Sequence, residues 1–410
     1  MRIIGPSILV ILLLVSFPIA RGTDMLEVLC TGSAGSMSFM AAVLRREPMT
    51  DAVIIPTRVS SRAIDVTHEV VKRYMRLYFP RSYGDLVDDY EFLILRGIDS
   101  TFFTSNQMEW MRRSIEEDGL GALQDRSVMS SLTSYSLPWA ESVLSEAFPN
   151  DADSVVSVDY SRHGPMNIVI NDDRTLPGVL RPYAEVFPYH IGSNGLTMMI
   201  PKAGSREFSW CKCGSYAEFA YPEPGTFPHT LGWRYGEGYT WSIMDYSAQG
   251  FWGGNQNPYG LDAYWGLLMY STGRALPDDV FMIHELRARF HDYAEVKGFI
   301  LSLMDFVDRF GANTRSLAMS LKGMDGEWVR ARESYLNQEY ETSWSIIGEV
   351  LDRVSSLRAD ALEIKDRALT WIYMVEWLVV SGTNLMAAFA VWSLMVRRRL
   401  YKSVGTTRLD

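Results

Sequence analysis

The stretch Tyr90-Glu-Phe-Leu-Ile-Leu-Arg96-Gly97, followed by Thr104-Ser-Asn-Gln107 and then Leu120-Gly-Ala-Leu123, decides the fold. The first run is short, apolar and closed by a turn, which is the pattern of a buried strand. Thr104 with Gln107 marks a helix start, because the threonine oxygen accepts from an orphan backbone N–H and the glutamine reaches back. That helix carries Met108, Met111 and Ile115 on one side and Arg112, Arg113, Glu116 and Glu117 on the other. It stops at Asp118-Gly119, and Leu120 to Leu123 reads as the next strand. Working back along the chain, Met25-Leu-Glu-Val-Leu-Cys30 is a strand ending in Thr31-Gly32-Ser33, before a helical stretch over 36–46. Ala52-Val-Ile-Ile-Pro56 is another strand, and His68 to Tyr78 is helical. Strands alternating with helices predict an α/β domain over residues 24–285, a parallel sheet with helices on both faces.

The order strand, Arg96-Gly97-Ile98-Asp99, helix Gln107 to Asp118, Gly119-Leu120-Gly121-Ala122-Leu123 resembles the class I glutamine amidotransferase-like superfamily, in its trehalose-utilisation-type branch. Tyr235-Gly236-Glu237-Gly238-Tyr239, Asp262-Ala-Tyr264-Trp265 and Tyr270-Ser-Thr-Gly273-Arg274-Ala-Leu276-Pro277-Asp-Asp-Val280 resemble the end of such domains. The resemblance implies a flavodoxin-like, amidotransferase-like sheet and, in active members, a Cys nucleophile on a sharp turn after the second of these strands. Here the turn is Leu123-Gln124-Asp125-Arg126-Ser127, with neither Cys nor Gly. The family's partner His and Glu have no counterpart at their spacing, since His284 and Glu285 are adjacent. A thiolate is needed to attack the glutamine amide, so glutamine hydrolysis is not expected.

Asp125 stands where the nucleophile would stand. A carboxylate can serve as nucleophile or general base; the alternative is a local ion pair with Arg126. Cys211-Lys-Cys213 is spaced too closely for a zinc pair, and Cys30 with Cys211 or Cys213 can form one disulfide in an oxidising compartment. The six His share no short ligand spacing apart from His284 and His291, so neither a metal nor another cofactor is expected. Trp233 to Trp265 is dense in aromatics and glycines. Flat rings and amides suit a saccharide or a peptide, which makes Trp241, Asp245, Trp252, Asn255 and Asn257 candidate ligand contacts. The alternative is a Gly-rich loop pinned by buried aromatics.

The two ends speak for a membrane. Residues 1–22 hold an early Arg2, an uncharged run from Ile3 to Ala20 and small residues, as a signal peptide does; a retained anchor is the alternative. Residues 371–396 are long and apolar enough to span a bilayer, with Trp371, Tyr373 and Trp377 at one end and Trp392 at the other. Arg397, Arg398 and Arg399 open a basic tail, 397–410, which the positive-inside rule places in the cytoplasm. Glu376 and Asn384 share one face of this span, and intramembrane polar groups usually face a partner helix; for Glu376 the alternative is access to water at the interface.

Between the two, residues 286–370 read as a helical hairpin or stalk. One helix covers Tyr293 to Phe310 and a longer one begins near Trp328 and runs into the span. Ile347, Val350, Val354, Leu357, Ala361, Ile364 and Ala368 form an apolar heptad stripe. Such a stripe packs within the chain or against a second copy.

The net charge of −10 gives no general pull on phosphate backbones, which disfavours nucleic acid as a partner. The expectation is a single-pass protein of the cell membrane with its large N-terminal domain outside. It binds a ligand or a protein partner on a catalytically degenerate amidotransferase-like domain, more a binding protein than an enzyme. An enzyme acting on a saccharide or peptide through a carboxylate such as Asp125 or Asp245 is one alternative. A structural subunit of a membrane complex, or a homo-oligomer joined through stalk and span, is another.

Overall fold

The computed structural model describes residues 25–33, 43–44, 46–58, 67–96, 102–125, 139, 141–151, 156–158, 166–184, 190–191, 196–212, 224–244, 252 and 257–406. Residues 1–24, Asp245, Asn255, Cys213, Arg126 and Ser127 lie outside these, so the readings placed on them do too. The chain falls into two compact units, residues 1–287 with 335–340, and residues 288–334 with 341–410.

The first unit is built on strands β1 (Leu26–Ser33), β2 (Thr50–Arg58), β3 (Phe92–Arg96), β4 (Gly121–Asp125), β6 (Met166–Ile170), β7 (His190–Ile191), β9 (Arg206–Lys212), β10 (Thr226–Tyr235) and β11 (Gly238–Ile243). They form one nine-stranded sheet in the order β2-β1-β3-β4-β11-β10-β9-β6-β7. β5 (Val156–Val158) and β8 (Leu196–Met198) pair separately. From β2 to β11 every neighbouring pair is parallel, and from β11 to β7 every pair is antiparallel. The sheet is therefore mixed, which corrects the all-parallel expectation. Part of its antiparallel half, β11 and the end of β10, lies in the segment read from sequence as a loop. Trp233 to Ile243 is most of the β10–β11 hairpin, closed at Gly236, whose φ is 59°. A Cβ at Gly236 would collide with the Glu116 carbonyl, so the turn needs glycine twice over.

Helices α1 (His68–Tyr78), α2 (Tyr83–Asp89) and α3 (Ser105–Asp118) cover one face. Each has a side-chain cap: Thr67 on Val70 N, Ser82 with Asp85, and Thr104 with Gln107 as the sequence predicts. Gly119, at φ 81°, ends α3 in the left-handed region. Val71, Met75, Leu86, Met111 and Ile115 from these helices pack on Leu29, Ile55, Leu93, Leu95 and Ala122 of the strands. The opposite face carries α4 (Gly260–Ser271). There the Trp241 indole N–H donates to Ser271 Oγ at 2.6 Å. Gly121 sits against Phe92 and Ser271 with no room for a side chain.

The second unit is helical: most of α5 (Val280–Asp308), α6 (Arg315–Leu336) and α7 (Tyr340–Thr406). Ile300, Val307, Leu317, Leu321, Ile347, Val350, Val354, Leu357 and Ala361 are buried among them. The heptad stripe is thus satisfied within the chain over 347–361. The long helix does not begin near Trp328. A turn at Gln338, in the left-handed region at φ 63°, separates α6 from α7. Among the described residues α7 is the one helix long and apolar enough to cross a membrane, and its apolar segment is fully exposed.

Candidate functional site

The strand register sets the site. Gly32 lies beside Arg96, Arg96 beside Asp125, and Asp125 beside Ile243, all at the C-terminal ends of parallel strands. Side chains alternate across a sheet, so Gly121, Leu123 and Asp125 share the α4 face while Ala122 and Gln124 point the other way. On the α4 face Arg96 Nε donates to Asp125 Oδ2 at 3.0 Å, and the two side chains are 1% and 0% exposed. Among the described residues the partner of Asp125 is thus Arg96, one strand away; the local pair with Arg126 falls on a residue outside the described ones. The buried guanidinium offsets the carboxylate's charge, which weakens it as a nucleophile and as a base.

Cys30 lies on the same face, two residues before Gly32, as a buried free thiol. Burial pushes that thiol up to about 12; the nearby Arg96 pulls it down and Asp125 pushes it up. It is not a thiolate at neutral pH. Tyr264 of α4 completes the cluster; burial, then Cys30 and Asp125, hold its phenol well above the ordinary range. Its hydroxyl is buried with no hydrogen-bond partner among the described residues, and the same holds for Thr31 and Thr57 near the ends of β1 and β2.

On the other face, Gln124 Nε2 donates to Asn150 Oδ1 and to Ser242 Oγ at 2.5 and 2.7 Å, and Ser242 Oγ donates to Asn150 Oδ1 at 2.7 Å. This closed triangle ties β4 to β11. In the antiparallel half, His229 Nδ1 lies 2.9 Å from Ser209 Oγ and 3.1 Å from Thr230 Oγ1. All three residues are fully buried, so this serine–histidine pair has no route to a substrate.

The aromatic ligand candidates are core residues. Trp252 stacks on His229 with centroids 5.8 Å apart and meets Tyr264 edge-on at 6.0 Å. Trp241 is boxed in by Phe208, Tyr239 and Tyr270. Asn257 is buried and its Oδ1 accepts from Tyr259 N, an Asx turn that opens α4. None offers an open face, and the buried-aromatic alternative describes them. Glu376 and Asn384 are exposed on α7.

A second polar centre went unread in the sequence. Asp262 Oδ1 accepts from Arg287 Nη1 at 2.7 Å, and Asp262 Oδ2 lies 2.7 Å from His284 Nδ1. Arg287 Nε also donates to Glu47 and to the Tyr335 hydroxyl. Glu47 and Asp262 are almost fully buried, while the His284 side chain is 33% exposed. The hydrogen bond to Asp262 raises His284 from its ordinary 6.5, against its partial burial. An aspartate on Nδ1 fixes the orientation of the imidazole, as it does for the histidine of a catalytic triad. The Tyr259 ring lies 4.7 Å from the imidazole. Among the described residues no group of acidic, His and Cys side chains has a metal-holding arrangement.

No known protein family and no curated protein matches the sequence. Among solved structures the chain is similar to the cytoplasmic protein STM1381 from Salmonella typhimurium LT2, at 12% identity and a TM-score of 0.39 over 60% of this chain and 98% of that one. It is also similar to Agd3, a carbohydrate deacetylase, at 10% identity and a TM-score of 0.35 over 61% of this chain and 33% of that one.

Proposed function

We propose that the chain is a membrane-anchored extracytoplasmic binding protein, built on an amidotransferase-like α/β unit without the hydrolytic nucleophile. The observation that carries this reading is the buried Arg96–Asp125 pair at the end of β4. The position that needs a free nucleophile holds a neutralised, enclosed carboxylate, and the nearby thiol of Cys30 is held protonated. Counted along the chain, the five parallel strands follow the order 2-1-3-4-5, which is the flavodoxin-like order. In such sheets ligands sit beyond the strand ends at the switch point, here between β1 and β3. The occupant proposed there is a saccharide or a peptide. The apolar segment of α7 anchors the protein, and Arg397 to Arg399 keep the tail in the cytoplasm.

Thermal melting of the full chain in nanodiscs, against sugars, amino acids and short peptides, tests the reading. A ligand at about 100 times its Kd adds roughly 2.7 kcal/mol to the folded state. One class that raises the melting temperature without being turned over supports binding; turnover of that compound replaces the reading with an enzyme. No shift with any class removes the ligand and leaves the protein-partner form of the proposal.

A second reading, a subunit of a membrane complex, is favoured by Glu376 and Asn384, exposed eight residues apart on α7. Replacing both by Leu shrinks the complex in mild detergent if they hold it together; an unchanged size removes that reading.

A further inference from the structure

The tip of the α5–α6 hairpin carries apolar side chains that the helical unit leaves uncovered. Phe306 and Phe310 are 38% and 45% exposed with ring centroids 5.1 Å apart, and Met319 is 67% exposed. Neighbouring Val307, Leu317 and Leu321 are buried between the helices, so the uncovered residues form the outward side of the tip.

Side-chain contacts fix the level of this tip along α7. The Arg289 guanidinium lies 3.5 Å from the Trp344 ring, and that of Arg358 lies 5.1 Å from the Phe299 ring, so α5 and α7 run alongside in the same direction. Glu327 pairs with Arg353, and Ser343 Oγ donates to Ala331 O at 2.8 Å, so α6 runs the opposite way. From the Phe299–Arg358 contact, equal steps along both helices bring Phe306 level with Lys365 and Phe310 level with Leu369. From the Glu327–Arg353 pair, stepping down α6 to its start at Arg315 reaches Lys365 again. Stepping from the Arg289–Trp344 and Ser343–Ala331 contacts instead places the tip level with residues 359–365, so the four contacts together put it about two to twelve residues, roughly 3–18 Å, before Trp371. Trp371 and Tyr373 open the exposed apolar segment of α7.

We propose that the hairpin tip is a second membrane contact: Phe306, Phe310 and Met319 enter the headgroup boundary of the leaflet that α7 crosses at Trp371. This rests on the reading of α7 as a membrane span. Rings at that depth bury apolar area, and the nearby charges stay paired or wet, Arg309 with Asp305 and Asp308 with Thr314. A lipid surface is the occupant because the patch lies on the same helical unit just before the exposed apolar segment begins at Trp371.

The test is spin-label accessibility in the full chain, with Cys213→Ser as background, reconstituted in phosphatidylcholine–phosphatidylglycerol vesicles. Labels go at Phe310→Cys, at Leu385→Cys inside the span and at Arg330→Cys as an aqueous reference. The expected result is an oxygen-to-nickel-chelate collision ratio at 310 several-fold above that at 330 and below that at 385. A lipid value at 385 with an aqueous value at 310 overturns the proposal and leaves the span standing. Low access to both reagents at 310, with spin–spin broadening, means a second copy covers the patch and also overturns it. An aqueous value at 385 removes the span and the proposal with it.

Discussion

The guanidinium of Arg96 closes on the carboxylate of Asp125 at 3.0 Å across two neighbouring strand ends, with both side chains out of reach of water. The pair gathers two charges at the C-terminal ends of β3 and β4 and encloses both.

Breaking that pair from one side leaves a lone buried charge. Asp125→Ala is expected to cost about 3–5 kcal/mol, whereas Arg96→Met with Asp125→Leu together costs far less. Denaturant melts of the two variants check this; equal losses for both show that the pair itself stabilises the fold.

Cys30, with its thiol held near 12, has roughly one thiolate in 10⁴ at pH 8. Its alkylation in the native protein is expected to run at least a hundredfold slower than in the unfolded chain, read by peptide mass spectrometry. Native alkylation at the unfolded rate shows an accessible, activated thiol and reopens covalent chemistry at this site.

His284 gives the first unit a pH slope. Its folded-state value lies above the ordinary 6.5 because Asp262 holds the charged ring. That stabilisation is complete below the unfolded value and is lost as pH rises through the folded one. Stability is therefore expected to fall from about pH 6 upward over this window, and Asp262→Asn flattens the slope. Melting temperatures at a series of pH values decide it; a variant as steep as the wild type assigns the slope elsewhere.

Trp252 serves the core, so Trp252→Ala is expected to cost about 3–5 kcal/mol and to loosen His229 and Tyr264. Calorimetry measures the loss. A native-like melting temperature together with lost ligand response restores Trp252 as a ligand contact.

Ile347→Ala, at the top of the heptad stripe, is expected to cost about 2–5 kcal/mol and to lower hydrogen-exchange protection in α5, α6 and the first part of α7 together. Lost protection confined to α7 shows that the three helices do not share a core.

Local rules carried much of this architecture. The caps at Thr104 and Gln107, the closed apolar run of β3 and the heptad period of α7 each follow from a few neighbouring residues. What escaped is what long-range pairing decides. Asp125 meets Arg96, 29 positions away, a partner that nothing local in the sequence marks. Glu47 meets Arg287 across 240 positions, and nothing local marks either as a partner. The aromatics of β10 and β11 read as a ligand loop because strand alternation is hidden where both faces are buried. Asp262 and His284 were both in view, but only the packing of α4 against the start of α5 brings them within 2.7 Å.

The continuity of α7 has a mechanical meaning. From Glu341 to Trp371 the helix forms part of the bundle, and beyond that it is the apolar segment, with no proline or turn between them. A rod without a swivel makes the lean of the bundle and the tilt of the span one variable. Bilayer thickness sets that tilt. With about 45 Å of helix above Trp371, ten degrees or so of added tilt swings its far end through roughly 8 Å. On the proposed reading of the apolar segment as a span, α7 would act as a lever with one arm in the lipid, and a thicker or thinner bilayer would move its outer end sideways.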